Sequence, residues 1–285
     1  MSLFLLISLL FFSPSQGIGW YKEAPHPWPS VVKSPLPQMK PESLPSSFSW
    51  REDHYLSPPT NQFLPNPCGG CWAHASAGAL TDRFILKTGV IIPHLSMQAL
   101  LDCGREEGFV EMGSCEGGSD ILAYDFIYNN GITDSTCSPY MGVVFTNWAE
   151  GTKCTQRMCR QCDTFGNCHF VNGTLYHISE YGNVTGEIEM MTEMYARGPI
   201  ACSVYAHTDN FLKYTGGVIT DDTPYNVTTH VISLIGWGTE NGVNYWIGRN
   251  SFGTEWGEGG WFKIERGKNT LNIERHPCAW AVPKV

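Results

Sequence analysis

Eleven cysteines, at positions 68, 71, 103, 115, 137, 154, 159, 162, 168, 202 and 278, constrain this chain more than any other feature. Thiols in that number fit an oxidising compartment, where disulfides persist. An apolar run from Leu3 to Phe12, broken only by Ser8, is too short for the ~20 residues of a membrane-spanning helix. It ends in Ser13-Pro14-Ser15-Gln16-Gly17, so residues 1–17 read as a secretory signal, although no Lys or Arg precedes the run. Sequons at Asn172, Asn183 and Asn226 agree with glycosylation along that route. A lysosome-like acidic compartment or the extracellular space is the expected destination, with no membrane anchor. Because eleven is odd, pairing of the other ten leaves one thiol, either an intermolecular partner or a reactive group.

Composition narrows the class. At 42% hydrophobic, 13% aromatic and 16% charged, the 285 residues are not those of a disordered chain. With 18 basic against 27 acidic residues, the net charge of −9 offers no general surface for neutralising phosphates, which excludes nucleic acid as an expected partner. Residues 18–43 are Pro-rich and poorly periodic, which suits a short pro-segment or an ordered strap. Apolar residues at helical spacing predict a helix from Cys71 to Lys87 capped by Gly89, and a second from near Ser96 toward Cys103. Five cysteines among turn residues from Cys137 to Cys168 predict a disulfide-stapled loop region. His230 to Gly236 and Val243 to Arg249, joined through Asn241-Gly242, predict a β-hairpin. Helices first and strands later give an α+β pattern with two lobes.

The segment Cys68-Gly-Gly-Cys71-Trp72 admits three readings. A zinc site wants a second Cys-x2-Cys at short range, and Cys159 with Cys162 lies too far downstream. A thioredoxin-like redox pair wants a preceding βαβ pattern, which is absent. The third reading makes Cys68 structural and Cys71 a nucleophile, its thiolate favoured by the positive end of a helix. Its base must come from elsewhere. His74 is tied to the same helix, whereas His230 opens the hairpin that Asn250 closes. Symmetry about residue 240 predicts that Asn250 lies across from His230, where its amide oxygen can accept the imidazole N–H and orient the ring.

These features together resemble the papain family of cysteine peptidases. The matching stretches are Cys68-Gly-Gly-Cys-Trp72, Leu95-Ser-Met-Gln-Ala-Leu-Leu-Asp-Cys103, Cys115-Glu-Gly-Gly118, His230, Asn250-Ser-Phe-Gly253 and Trp256-Gly257, within residues 44–285. The branch most resembled is that of cathepsin X (cathepsin Z), marked by a short pro-segment, Cys71-Trp-Ala-His-Ala75, the Cys154 to Cys168 cluster and a three-residue insertion. That insertion, Phe63-Leu64-Pro65, moves the oxyanion-hole glutamine to Gln62, for which a solvated loop amide is the plain alternative.

The resemblance implies a two-lobed fold with the cleft between a helical lobe and a β-rich lobe. It implies a monomer that hydrolyses peptides or proteins with no metal or organic cofactor. Cys71, His230, Asn250 and Gln62 would be catalytic, and Gly117, Gly118 and Phe63 would touch substrate. It pairs Cys68 with Cys115, Cys103 with Cys154, Cys137 with Cys159, Cys162 with Cys168 and Cys202 with Cys278, leaving Cys71 free. A catalytically silent binding protein and a disulfide oxidoreductase are the alternatives from other classes. Three departures stand out: Phe63 replaces the branch's histidine, Phe252 replaces a tryptophan, and residues 18–43 lack the branch's blocking cysteine.

Overall fold

A computed structural model describes residues 21–25, 27–104, 111–145, 154 and 159–285, so the expected signal at 1–17 lies outside the described residues. In chain order the elements begin with β1 (Phe48–Ser49), α1 (Trp50–Asp53), α2 (Cys71–Thr88) and α3 (Met97–Cys103). Next come β2 (Gly113–Ser114), β3 (Gly117–Gly118), α4 (Asp120–Asn130), β4 (Arg160–Cys162), β5 (Cys168–Phe170), β6 (His177–Val184) and α5 (Glu187–Arg197). The remainder is β7 (Ile200–Val204), α6 (Asp209–Leu212), β8 (Val218–Ile219), β9 (His230–Glu240), β10 (Val243–Arg249), β11 (Trp261–Glu265) and β12 (Cys278–Lys284).

Local signals explain the first long helices. Gly89 ends α2 in the left-handed region at φ 69°, where a side chain would be strained, and its N–H closes on Ile85 O. Ser96 caps α3, its hydroxyl accepting the Ala99 N–H at 3.0 Å. From Cys71 to Ile85 every residue of α2 is buried, so its charges must be paired. Asp82 meets Arg249 at 2.8 Å and Arg83 meets Glu193 at 2.8 Å.

Two hydrophobic cores make the two lobes. One gathers Trp72, Leu80, Leu100, Leu101, Tyr124 and Phe126 from α2, α3 and α4. The other gathers Phe211, Leu234, Trp237, Trp246, Phe262 and Trp280. Its sheet runs β6-β12-β7-β9-β10-β11-β8, with β1 added on β9. Ser233 in β9 donates to Ala75 O at 3.1 Å and fastens the first turns of α2 to the sheet. The fold is thus α+β and two-lobed.

The hairpin register differs from the expected one. Asn241 and Gly242 both take positive φ, so the two-residue turn closes Glu240 on Val243, and a bulge follows between Ile247 and Gly248. The last pair is Arg249 with Ser233, which sets Asn250 short of the position opposite His230.

The five disulfides join Cys68 to Cys115, Cys103 to Cys154, Cys137 to Cys159, Cys162 to Cys168 and Cys202 to Cys278. The described part of 18–43 is an ordered strap. Tyr21 bridges to Gly118, Val31 bridges to Tyr181, and Glu180 accepts the N–H groups of Lys33 and Ser34 at 2.7 and 2.8 Å. Asn172 and Asn226 are exposed, whereas Asn183 is half-buried in β6 opposite Ala279. Among the described residues no helix is long and apolar enough to cross a membrane.

Candidate active site

Cys71 is the first residue of α2 and the one cysteine outside the five disulfides, Cys68 being bonded to Cys115. It is fully buried, and Ala24 of the strap shares its cluster. Burial pushes its thiol up to about 12, against the pull of N–H groups including those of Val231 and Trp72. In this strap-covered state desolvation therefore outweighs the helix terminus, which by itself favours thiolate.

His230 opens β9 and is also fully buried. Its Nε2 lies 2.7 Å from Asn250 Oδ1. An amide oxygen only accepts, so the proton is on Nε2 and Nδ1 is the basic atom. Asn250 thus reaches His230 diagonally from beyond the end of the ladder. Burial pushes the imidazole down to about 4, the Asn250 bond opposing it. Phe252 covers the ring at 4.9 Å, and Phe211 stands edge-on at 5.8 Å.

Gln62 is fully buried, which overturns the solvated-loop reading. Its Oε1 accepts from Ser251 Oγ at 2.7 Å and its Nε2 donates to Cys68 O at 3.0 Å. One amide hydrogen goes to Cys68, which leaves the second available to a developing oxyanion. Tyr140 donates to Gln62 O at 2.8 Å. Sequence reasoning missed Ser251, Tyr140 and Phe211. Ser251 adjoins Asn250 and could have been suspected, whereas nothing local marks Tyr140 or Phe211.

The insertion is held at both ends. Asn61 Oδ1 accepts the Phe63 N–H at 2.9 Å, Phe63 rests on Phe252 at 5.1 Å, and Asn66 donates to Met141 O at 2.9 Å. His74 is buried against Thr60 and Tyr140, and burial pushes it down to about 3; the His54 ring meets that of Trp50 edge-on. Gly118 lies against Trp72, where an added Cβ would meet Met112 O at 2.4 Å and the indole at 2.5 Å. Its carbonyl accepts the Lys22 N–H of the strap at 3.0 Å.

A sequence model described as papain family cysteine protease matches residues 44–281. The chain belongs to that family. It is 39% identical over 257 residues to cathepsin Z of Onchocerca volvulus, covering 85% of this chain and 79% of that protein. A cysteine protease of Blomia tropicalis is 31% identical, covering 81% of this chain and 64% of the relative. Solved papain-family structures agree. One described for antibody cross-reactivity between the mite allergens Blo t 1 and Der p 1 has a TM-score of 0.72 at 30% identity, over 88% of this chain and 75% of that one. A Carica candamarcensis cysteine protease in complex with E-64 has a TM-score of 0.66 at 26% identity, over 85% of this chain and 100% of that one.

Proposed function

We propose that the chain is a monomeric cysteine peptidase of carboxypeptidase type, held closed by its N-terminal strap and working in an acidic compartment of the secretory route. The observation that carries the catalytic reading is the 2.7 Å bond from His230 to Asn250, close to Cys71, which lies outside the five disulfides and whose thiol feels the N–H of Val231, the residue after His230. With the strap gone, water reaches the pair and lifts the desolvation that keeps both groups neutral, so the proton passes from Cys71 to His230. The thiolate attacks the scissile carbonyl, and the oxyanion is met by Gln62 Nε2 and the Cys71 N–H. The imidazolium protonates the leaving amine, the acyl-enzyme remains on sulfur, and water deprotonated by His230 releases the acid and restores the thiol. Gly117 and Gly118 supply main-chain pairing to the substrate.

The exopeptidase assignment rests on the insertion. Phe63-Leu64-Pro65, pinned between Asn61 and Asn66, walls the leaving-group side and leaves room for one residue. Phe63 offers the terminal carboxylate neither charge nor donor, which costs ~1.5–3 kcal/mol of recognition relative to a histidine there. Mass spectrometry of products from free-acid and amidated peptides tests this reading. Removal of single C-terminal residues is expected, and Phe63→His should raise kcat/KM for acids over amides. Efficient cleavage of interior bonds in long blocked peptides would refute the wall.

A further inference from the structure

Where α2 packs on the start of β9 and the end of β10, a small cavity leaves about 10 Å³ for the centre of a water molecule. His74, His94, Arg249 and Asn250 are among its lining residues. Each carries one buried nitrogen with no hydrogen-bond partner among the described residues: His74 Nε2, His94 Nδ1, Arg249 Nη2 and Asn250 Nδ2. Buried polar atoms left this way are costly. Four of them around a cavity of this size match the two to four partners that an internal water takes.

The four nitrogens also have the right chemistry for water. Arg249 Nη2 and Asn250 Nδ2 can only donate. The Arg249 nitrogen meets Asp82 Oδ2 at 2.8 Å as an ion pair, but without the alignment of a hydrogen bond. The amide oxygen of Asn250 is taken by His230 at 2.7 Å and by the Ser251 N–H at 2.8 Å, so its nitrogen needs an acceptor elsewhere. His94 Nε2 lies 3.1 Å from Pro58 O, which only accepts, so the proton is on Nε2 and Nδ1 holds the lone pair. His74 Nδ1 lies 2.7 Å from Thr60 Oγ1, a hydroxyl that can accept its proton and leave Nε2 a lone pair as well. Burial pushes both imidazoles down, which favours the neutral rings that this arrangement requires. Two donors and two acceptors are the complement of one water. An anion would face the His94 lone pair, and a cation would face the Arg249 guanidinium.

We propose that a water held by His74, His94, Arg249 and Asn250 fixes the spacing between nucleophile and base, with His74 and His94 as positioning residues. His74 follows Cys71 by one turn of α2, whereas Asn250 holds the His230 ring on the sheet. A bridge from His74 Nε2 to Asn250 Nδ2 therefore ties the nucleophile's helix to the amide that orients the base. The inference rests on the proposed peptidase reading and deepens it. Neither His74 nor His94 touches the reacting atoms.

A crystal structure of the full chain carrying Cys71→Ala tests the water without any turnover. One ordered water within about 3.2 Å of at least three of the four nitrogens is expected. No density there, a cavity closed by direct contact between His74 and Asn250, or a peak that scatters anomalously after a bromide soak overturns the site. Kinetics after limited proteolysis of the strap test the positioning. His74→Phe keeps a ring on α2 and removes the nitrogen, so kcat should fall about tenfold, the order of one hydrogen bond, with KM within about twofold. His74→Gln, whose amide oxygen can again accept from the water, should recover kcat to within about threefold of wild type. Equal loss of kcat in both variants, or loss in neither, overturns the positioning role. If the water is present and wild type cleaves no peptide, the water site stands and the peptidase reading fails.

Discussion

Replacing Gln62 by alanine separates a structural role from an electrostatic one. The side chain makes two buried hydrogen bonds, to Cys68 O at 3.0 Å and from Ser251 Oγ at 2.7 Å. Truncation leaves both partners unpaired, at ~1–3 kcal/mol each, so a lower midpoint in urea is expected. The proposed oxyanion role adds a second effect, since loss of one such donor lowers kcat by ~10²–10³-fold. Ser251→Ala supplies the control, because it removes the clamp and keeps the amide. It leaves the buried Gln62 Oε1 unpaired, so it should cost ~1–3 kcal/mol of stability and less than about tenfold in kcat. Gln62→Glu keeps the acceptor facing Ser251 and removes both N–H groups, so it should match the kcat loss of the alanine variant. Steady-state kinetics on the strap-free enzyme and urea titration of each variant provide the readouts. If Gln62→Ala and Gln62→Glu keep kcat within tenfold of wild type while stability falls, Gln62 only holds the loop and the oxyanion argument is wrong.

In the intact chain iodoacetamide should modify Cys71 slowly at neutral pH, because burial pushes the thiol up to about 12; removal of the strap should make labelling fast even near pH 5, and slow labelling there would refute the ion pair. Thermal stability of a Cys71→Ala full chain should fall between about pH 6.5 and 4. His74 and His230, pushed down to about 3 and 4, and His94, which burial also pushes down, are protonated first in the unfolded chain, while Asp120, raised to about 7, opposes them as one group against three. A Tm that is level or rises toward pH 4 in calorimetry would contradict that sum. Arg249→Met leaves the fully buried Asp82 without its ion-pair partner and should cost ~3–5 kcal/mol by urea titration; a loss below ~1 kcal/mol would mean that Asp82 finds water or a proton instead.

The sequence by itself determined what depends on neighbours within a turn or two. Gly89 ends α2 and Ser96 opens α3 through contacts inside four residues, and Asn241-Gly242 closes its hairpin through backbone sign alone. Motifs in order carried the family, and an odd cysteine count pointed to a thiol left unpaired. The helix at Asp120–Asn130 is less legible, since apolar residues occupy most of its sides and no amphipathic period marks it. Tertiary structure alone decided the rest. A bulge between Ile247 and Gly248 set how Asn250 reaches His230, and Ser251 clamps Gln62 from 189 residues away. The charge state of Cys71 likewise turned on what covers it. A helix terminus acts locally and by a fixed amount, whereas desolvation depends on every group packed over the sulfur, including a strap that joins the chain some fifty residues earlier.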